Sequence, residues 1–338
     1  MNKLRRDLEH AGLICPGEQA AIEPLTGGVS SDISLVSTAD RKFCVKRALA
    51  KLKVAADWRA PVERNRSEVE WMKTVARIAP DAVPAILADR SSEGWFAMSY
   101  LEPSQYPLWK AELRDGRIDV AFAAAVGTTL ARIHAATAAD VTLAQRFATD
   151  HIFYPIRLEP YLAAAAERHP DCAVRLHALI AQTQANKKAL VHGDVSPKNI
   201  LISGKDQRVT PVFLDAECAW WGDPAFDLAF CLNHLLLKCV WRPQWTAQYL
   251  ASFDALAQSY LAGVNWEAAA EIEARAAGLL AGLFLARIDG KSPAEYITAE
   301  ADKDMVRGVA RRFLLEPVAC LAEIRTAWAL AMQASTRK

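Results

Sequence analysis

The chain has no long apolar run, no cysteine pairing signature and no excess of charge of either sign. The seven cysteines are Cys15, Cys44, Cys172, Cys218, Cys231, Cys239 and Cys320. They are odd in number and include no C-x-x-C pair, so neither a disulfide framework nor a zinc site is supported. Most sit among apolar neighbours, as reduced buried thiols do. Forty Lys and Arg against 39 Asp and Glu leave a net charge of +1. These charges are interspersed, which leaves no electrostatic footprint for nucleic acid or a membrane surface. The apolar stretch 276–286 is bounded by Arg275 and Arg287, is too short to span a bilayer and predicts a buried helix. The N-terminal Lys3-Leu4-Arg5-Arg6-Asp7-Leu8-Glu9 is amphipathic with no apolar signal core behind it, so a cytoplasmic location is expected. No repeat or low-complexity linker divides the 338 residues, and 52% hydrophobic with 23% charged residues is ordinary for a globular protein. That length accommodates two lobes around a cleft.

What is present is concentrated between residues 190 and 230. His192-Gly193-Asp194-Val195-Ser196-Pro197-Lys198-Asn199 follows the apolar Leu190-Val191 and precedes Ile200-Leu201-Ile202. Both flanks predict strands, the second closed by a Ser203-Gly204-Lys205-Asp206 turn. Residues 209–214 predict a third strand, which ends at Asp215. Taken singly, an Asp or Asn in a loop is a turn cap. Taken together, Asp194, Asn199 and Asp215 are the oxygen set that phosphoryl transfer needs: Asp194 to orient or deprotonate an attacking hydroxyl, Asn199 and Asp215 to hold Mg²⁺ on ATP. Mg²⁺ keeps several waters, so one carboxylate, one amide oxygen and the nucleotide phosphates suffice.

His192-Gly193-Asp194 with Asn199 five residues on, Asp215-Ala216-Glu217, and Gly222-Asp223-Pro224-Ala225-Phe226-Asp227-Leu228-Ala229 together resemble the aminoglycoside phosphotransferase and choline kinase-like superfamily. The resemblance implies an α+β, bilobal protein-kinase-like fold, with a small antiparallel-sheet N-lobe over residues 1–102 and a larger, mostly helical C-lobe over 103–338. It also implies that Asp227 is structural, holding the catalytic loop through backbone N–H groups, and that His192 braces that loop. Protein kinases share the fold, but this chain has Ser196 two residues after the catalytic Asp where they have Lys. It has Asp215-Ala216-Glu217 for D-F-G, and no A-P-E. Ser196 would reach the γ-phosphate, and Lys198 reads as a solvated surface residue.

The nucleotide site is expected nearer the N-terminus. Leu25-Thr26-Gly27-Gly28-Val29-Ser30-Ser31-Asp32 predicts strand, turn, strand, with Gly27, Gly28, Ser30 and Ser31 bringing backbone and hydroxyl donors to phosphates. Lys46 is centred in the apolar Phe43-Cys44-Val45-Lys46-Arg47-Ala48-Leu49, where a buried ammonium needs a partner. That partner should be an acid on a helix over 61–78: Glu68 is chosen, with Glu70 the alternative. Residues 83–87 and 95–100 predict two more strands around a turn at 89–94. Ser99 and Leu101 then offer hinge backbone to the adenine edge, with GTP use left open.

Helices are expected over 118–138, 161–167, 173–185, 226–239, 245–261, 266–288 and 306–331. The acceptor wall is assigned to Glu217, Trp220, Trp221, Asp223 and Arg287, the tryptophans being equally suited to core packing. The C-terminal arginines argue against a cationic aminoglycoside. The sequence therefore points to an ATP-dependent kinase acting on a small-molecule hydroxyl, a sugar, polyol or amino alcohol. The alternatives are an antibiotic phosphotransferase and a nucleotide-binding pseudokinase, and the oligomeric state is unknown.

Overall fold

The computed structural model describes residues 2–25, 31–49, 61–204 and 209–336. It opens with a short helix, α1 (Asn2–His10), laid against a five-stranded antiparallel sheet. The sheet comprises β1 (Ala21–Leu25), β2 (Ser31–Ser37), β3 (Lys42–Ala48), β4 (Ile86–Arg90) and β5 (Trp95–Ser99), in the order β1-β2-β3-β5-β4. Between β3 and β4 runs α2 (Arg64–Ile78). It buries Val69, Trp71, Met72 and Val75, an i, i+3 stripe that packs under the sheet. The other face of the sheet closes over a smaller cluster in which Leu8, Leu13 and Ile14 meet Val36, Phe43 and Val45.

Boundaries in the smaller lobe differ from the sequence reading. The helix expected from Pro61 begins at Arg64. The strand expected over 83–87 starts three residues later, because Pro80–Ala82 forms a 3₁₀ turn and Pro84 has no N–H for a ladder. The turn that follows contracts to Ser91–Glu93, closed by Gly94 at φ 80°.

The larger lobe contains α3 (Trp109–Arg114), α4 (Val120–Thr137), α5 (Val141–Arg146), α6 (Asp150–Phe153), α7 (Ala164–Arg168) and α8 (Ala173–Ala185). Next come β6 (Ala189–Val191), β7 (Ile200–Ser203), β8 (Thr210–Phe213) and β9 (Trp220–Gly222). The lobe ends with α9 (Pro224–Trp241), α10 (Thr246–Ala262), α11 (Ala269–Asp289), α12 (Glu300–Leu315) and α13 (Leu321–Thr336). Helix α9 is buried over nearly its whole circumference, as its all-round apolar sequence requires. Helix α4 packs against α10 at Gly127, where a Cβ would stand 2.3 Å from the Leu256 carbonyl oxygen. Among the described residues α4 alone is long and apolar enough to cross a membrane; here it lies on α10. The helix expected over 306–331 is two helices, interrupted at Pro317, whose ring cannot continue a helix. The helix expected over 161–167 begins inside a π-helical stretch, Tyr154–Ala163, that carries Pro160, and continues as α7 from Ala164.

Candidate active site

Two small two-stranded sheets frame the loop 192–199. β6 pairs with β9 and β7 with β8, both antiparallel, so residues 192–199 leave one pair and enter the other. Asp227, in the first turn of α9, clamps the loop: its carboxylate accepts the backbone N–H of His192 at 2.7 Å and of Gly193 at 2.8 Å, and it faces His134 Nε2 at 3.3 Å. Gly193 adopts φ 80°, and a Cβ there would lie 2.8 Å from the Cys218 carbonyl oxygen, so only glycine fits without strain. His192 Nδ1 accepts the Asp194 N–H at 3.1 Å, which leaves Nε2 to donate to the Leu214 carbonyl at 3.1 Å. Burial lowers its pKa, and a neutral ring suits this donor and acceptor pattern.

Three donors converge on one oxygen of Asp194. Arg157 Nη2 stands 2.8 Å from Oδ2, Lys198 Nζ 3.1 Å and Asn199 Nδ2 2.8 Å. Lys198 is therefore a half-exposed partner of the catalytic-loop acid, correcting its assignment as a purely solvated surface residue. Arg157 comes from the π-helical stretch, carries no sequence motif and is absent from the sequence reading.

The lobes meet at Lys46. Its Nζ lies 2.7 Å from Glu68 Oε2 and also contacts the Asp215 carboxylate, so β3, α2 and the segment after β8 share one ammonium. Glu70 instead faces Lys73 and Arg146. Burial opposes the Lys46 charge, but Asp215, Glu68 and Glu217 outweigh it and hold the ammonium protonated. Burial pushes the Glu68 carboxyl up to about 7 against the pull of Lys46. Asp215 is held below the usual carboxylate range, Lys46 and Lys198 overcoming its burial. Its backbone is left-handed, at φ 65°.

Between the lobes a cleft of ≈ 570 Å³, counting its open mouth, is lined by Ser31, Lys46, Glu68, Lys198, Asn199 and Asp215 over an apolar floor that includes Met72 and Met98. Ser31 Oγ is buried on this wall without a hydrogen-bond partner, and Ser196 Oγ in the catalytic loop is likewise unpartnered. An ammonium, unused buried hydroxyls and hard oxygen donors fit the phosphates and Mg²⁺ of a nucleotide. Gly27, Gly28 and Ser30 lie outside the described residues. Ser99 is engaged with Ala85, its N–H donating to the carbonyl and its Oγ accepting the Ala85 N–H, so it has no backbone donor to spare for a purine. Leu101, two residues on, is half-buried, and Met98 of the same strand lines the cleft.

Four of the five expected acceptor residues are buried and packed or paired within the fold. Glu217 is buried and accepts Arg64 Nε at 2.9 Å, tying α2 to the segment after Asp215. Trp220 stacks on Phe153 at 4.3 Å, and Trp221 is buried in β9 opposite Leu190. Asp223 caps α9 and pairs with Arg275 at 2.9 Å. Cys218 is buried, and burial raises its thiol pKa far above the usual value. Arg287 lies in the last turn of α11 rather than on a loop, and it lines a second cavity with Pro197, Lys198, Lys110, His234 and Lys238. The sequence reading missed Lys238, although an isolated Lys in the apolar run of α9 poses the same question as Lys46 in β3.

A model of the phosphotransferase enzyme family matches residues 21–272. The methylthioribose kinase of Escherichia coli O45:K1 (strain S88 / ExPEC) is 24% identical over 259 residues, covering 68% of this chain and 60% of that protein. The chain thus spans about three fifths of the length of that relative. A Plasmodium vivax ethanolamine kinase superposes with a TM-score of 0.55 at 12% identity, over 96% of this chain and 89% of that one. A microcompartment-associated aminopropanol kinase gives 0.53 at 14%, over 94% and 98%. A spectinomycin phosphotransferase in complex with ADP and spectinomycin gives 0.53 at 12%, over 97% and 98%. At these identities the solved structures establish a shared bilobal α+β fold.

Proposed function

We propose that this chain, which belongs to the phosphotransferase enzyme family, moves the γ-phosphoryl of ATP to a hydroxyl of a small molecule. The cleft used would lie between lobes 1–102 and 103–338. The observation that carries the reading is the convergence of Lys46, Glu68 and Asp215 from both lobes on one cleft beside Asp194 and Asn199. MgATP, when bound, supplies the activated phosphoryl group and a metal that neutralises charge on it. In this reading Asn199 and Asp215 are the metal ligands, Lys46 grips the phosphates with its direction set by Glu68, and Ser31 and Ser196 donate hydroxyls to them. Asp194 receives the acceptor proton on Oδ1, the oxygen left without a donor among the described residues, while Arg157, Lys198 and Asn199 fix the carboxylate through Oδ2. The reading places the enzyme in the cytoplasm with no nucleic-acid or membrane partner. A non-catalytic nucleotide binder would have no use for three donors trained on Asp194.

The test is ADP release by the full chain across sugars, polyols, hydroxy acids, amino alcohols and aminoglycosides, with Asp194→Asn as control. The variant should keep MgATP affinity while turnover falls by about two to four orders of magnitude, as for loss of a positioned base. Near-normal turnover in the variant removes Asp194 from this role.

A further inference from the structure

We propose that the acceptor hydroxyl belongs to a molecule that also carries a carboxylate or phosphate group, and that this anionic group docks in the second cavity, across Lys198 from the nucleotide. This inference rests on the phosphotransfer reading and adds the acceptor's charge class to it. The cavity is narrow, its ≈ 270 Å³ counting all space out to the open mouth and only ≈ 30 Å³ admitting a water-sized sphere, so an anionic group would dock from the mouth and a large antibiotic has no room. Its wall holds four cations, Lys110, Lys198, Lys238 and Arg287, together with His234 and a single acid, Glu295. That acid is taken by Lys110 at 2.5 Å, and Lys198 is paired with Asp194.

Lys238 and Arg287 are left. They are 1% and 7% exposed, and among the described residues no carboxylate lies within ion-pairing distance of either. Lys238 rests on the rings of Tyr296 and Trp241, at 4.0 and 4.5 Å. Arg287 is held through Nη1 by Ser292, its Nε has no partner, and the buried Tyr296 hydroxyl has none either. Two buried, unpaired cations beside idle donors are costly to keep for stability alone; a bound anion would offset their charge. The field in the cavity has the matching sign. Burial, with Lys110 adding to it, brings the Lys238 ammonium down to about 7, and burial with Arg287, Lys238 and Lys198 lowers His234 well below its usual value. An ammonium-bearing acceptor such as ethanolamine would meet repulsion there.

Position links this cavity to the chemistry. Pro197 and Lys198 form part of its wall, and Lys198 also lines the nucleotide cleft. With an anionic group on Lys238 and Arg287, a hydroxyl a few bonds away would extend along Lys198 toward Asp194. The second cavity thus selects by charge and the catalytic loop by reach.

Four compounds of similar size separate the possibilities: glycerol, ethanolamine, glycerate and glycerol 3-phosphate. Binding to the full chain is measured by calorimetry with a non-hydrolysable MgATP analogue present, and turnover by ADP release. At least one of the two anions should bind about tenfold or more tightly than glycerol and ethanolamine, and which one does so distinguishes a carboxylate from a phosphate site. Lys238→Met should weaken that anion by about tenfold or more, leave the nucleotide analogue's affinity unchanged and raise Tm. Lys110→Gln, at the exposed mouth, supplies a second variant with a smaller loss. The proposal is overturned if neither anion is preferred, or if both variants leave the anion's Kd within twofold. Anion preference without ADP release would instead keep the binding site and sink the phosphotransfer reading. ADP release with ethanolamine and no preference for anions would do the reverse.

Discussion

Arg157 underpins Asp194. Its Nη2 sits 2.8 Å from Asp194 Oδ2 while its Nε donates to the carbonyl of Gly193 and its Nη1 to that of Ile156, so one buried guanidinium grips both the backbone and the carboxylate of the catalytic loop. A planar fork can do this and an ammonium cannot. Arg157→Lys is therefore expected to lower kcat by about tenfold with nucleotide affinity within twofold, because charge is kept while orientation is lost. Arg157→Ala should cost about 3–5 kcal/mol of stability, the range for breaking a buried pair, read by denaturant unfolding. A lysine variant with full kcat would show that Lys198 and Asn199 suffice to hold Asp194.

Asp215 combines a ligand's chemistry with an unusual backbone. At φ 65° an Asn is tolerated, whereas Ala pays the left-handed penalty of about 1 kcal/mol. Asp215→Asn should thus fold like the parent and lose Mg²⁺-dependent nucleotide binding, because two neutral amides replace the carboxylate and amide offered to the metal. Asp215→Ala should lose binding and stability together. Titration with MgATP decides: tight binding by Asp215→Asn would move the metal to another carboxylate.

Lys46 and Glu68 act as one unit in this geometry, with Asp215 as a third member. Lys46→Ala should weaken nucleotide binding and leave Glu68 buried without its cation, and Glu68→Gln should give a smaller loss. The double variant should fall short of the summed losses by about 1 kcal/mol or more. Losses that simply add would show that the contact has no energetic coupling.

The legible parts of this molecule are those where chemistry constrains local sequence. The catalytic loop, the metal segment and the strands around them stand out because Asp, Asn and Gly punctuate apolar runs, and Lys46 stands out because an ammonium among apolar neighbours demands an acid. Arg157 carries no such mark: its role arises only when a π-helical stretch from residues 154–163 folds beneath the loop. Trp220 and Trp221 were open to two readings because β9 is only three residues long, too short for alternation to reveal it. Their neighbours Glu217 and Asp223 are acids beside the metal segment whose partners, Arg64 and Arg275, lie 153 and 52 residues away. Such distant pairings are invisible to local pattern. The break at Pro317 was legible from proline chemistry but lost within an otherwise helical apolar pattern.

Lys238 supplies the pH test. With its ammonium brought down to about 7 from the ordinary 10.5, the unfolded chain holds this proton more tightly than the folded one throughout that window. The penalty is therefore complete below about pH 7 and fades as pH rises toward 10.5, so this group makes wild-type stability rise with pH. Burial, Lys110 and Arg287 drive the shift and Glu295 opposes it, with His234 and Lys198 completing the charged wall. Lys238→Met removes the penalty, and its advantage should be about 1–4 kcal/mol near pH 6, shrinking by pH 10. The comparison is made by urea unfolding of the two proteins at matched ionic strength. Saturating the wild type with the anion it prefers should abolish the difference near pH 6, since a bound anion holds the ammonium charged. A variant no more stable than the wild type at either pH would mean that the two aromatic rings already compensate the charge, and that the cavity places no electrostatic demand on its occupant.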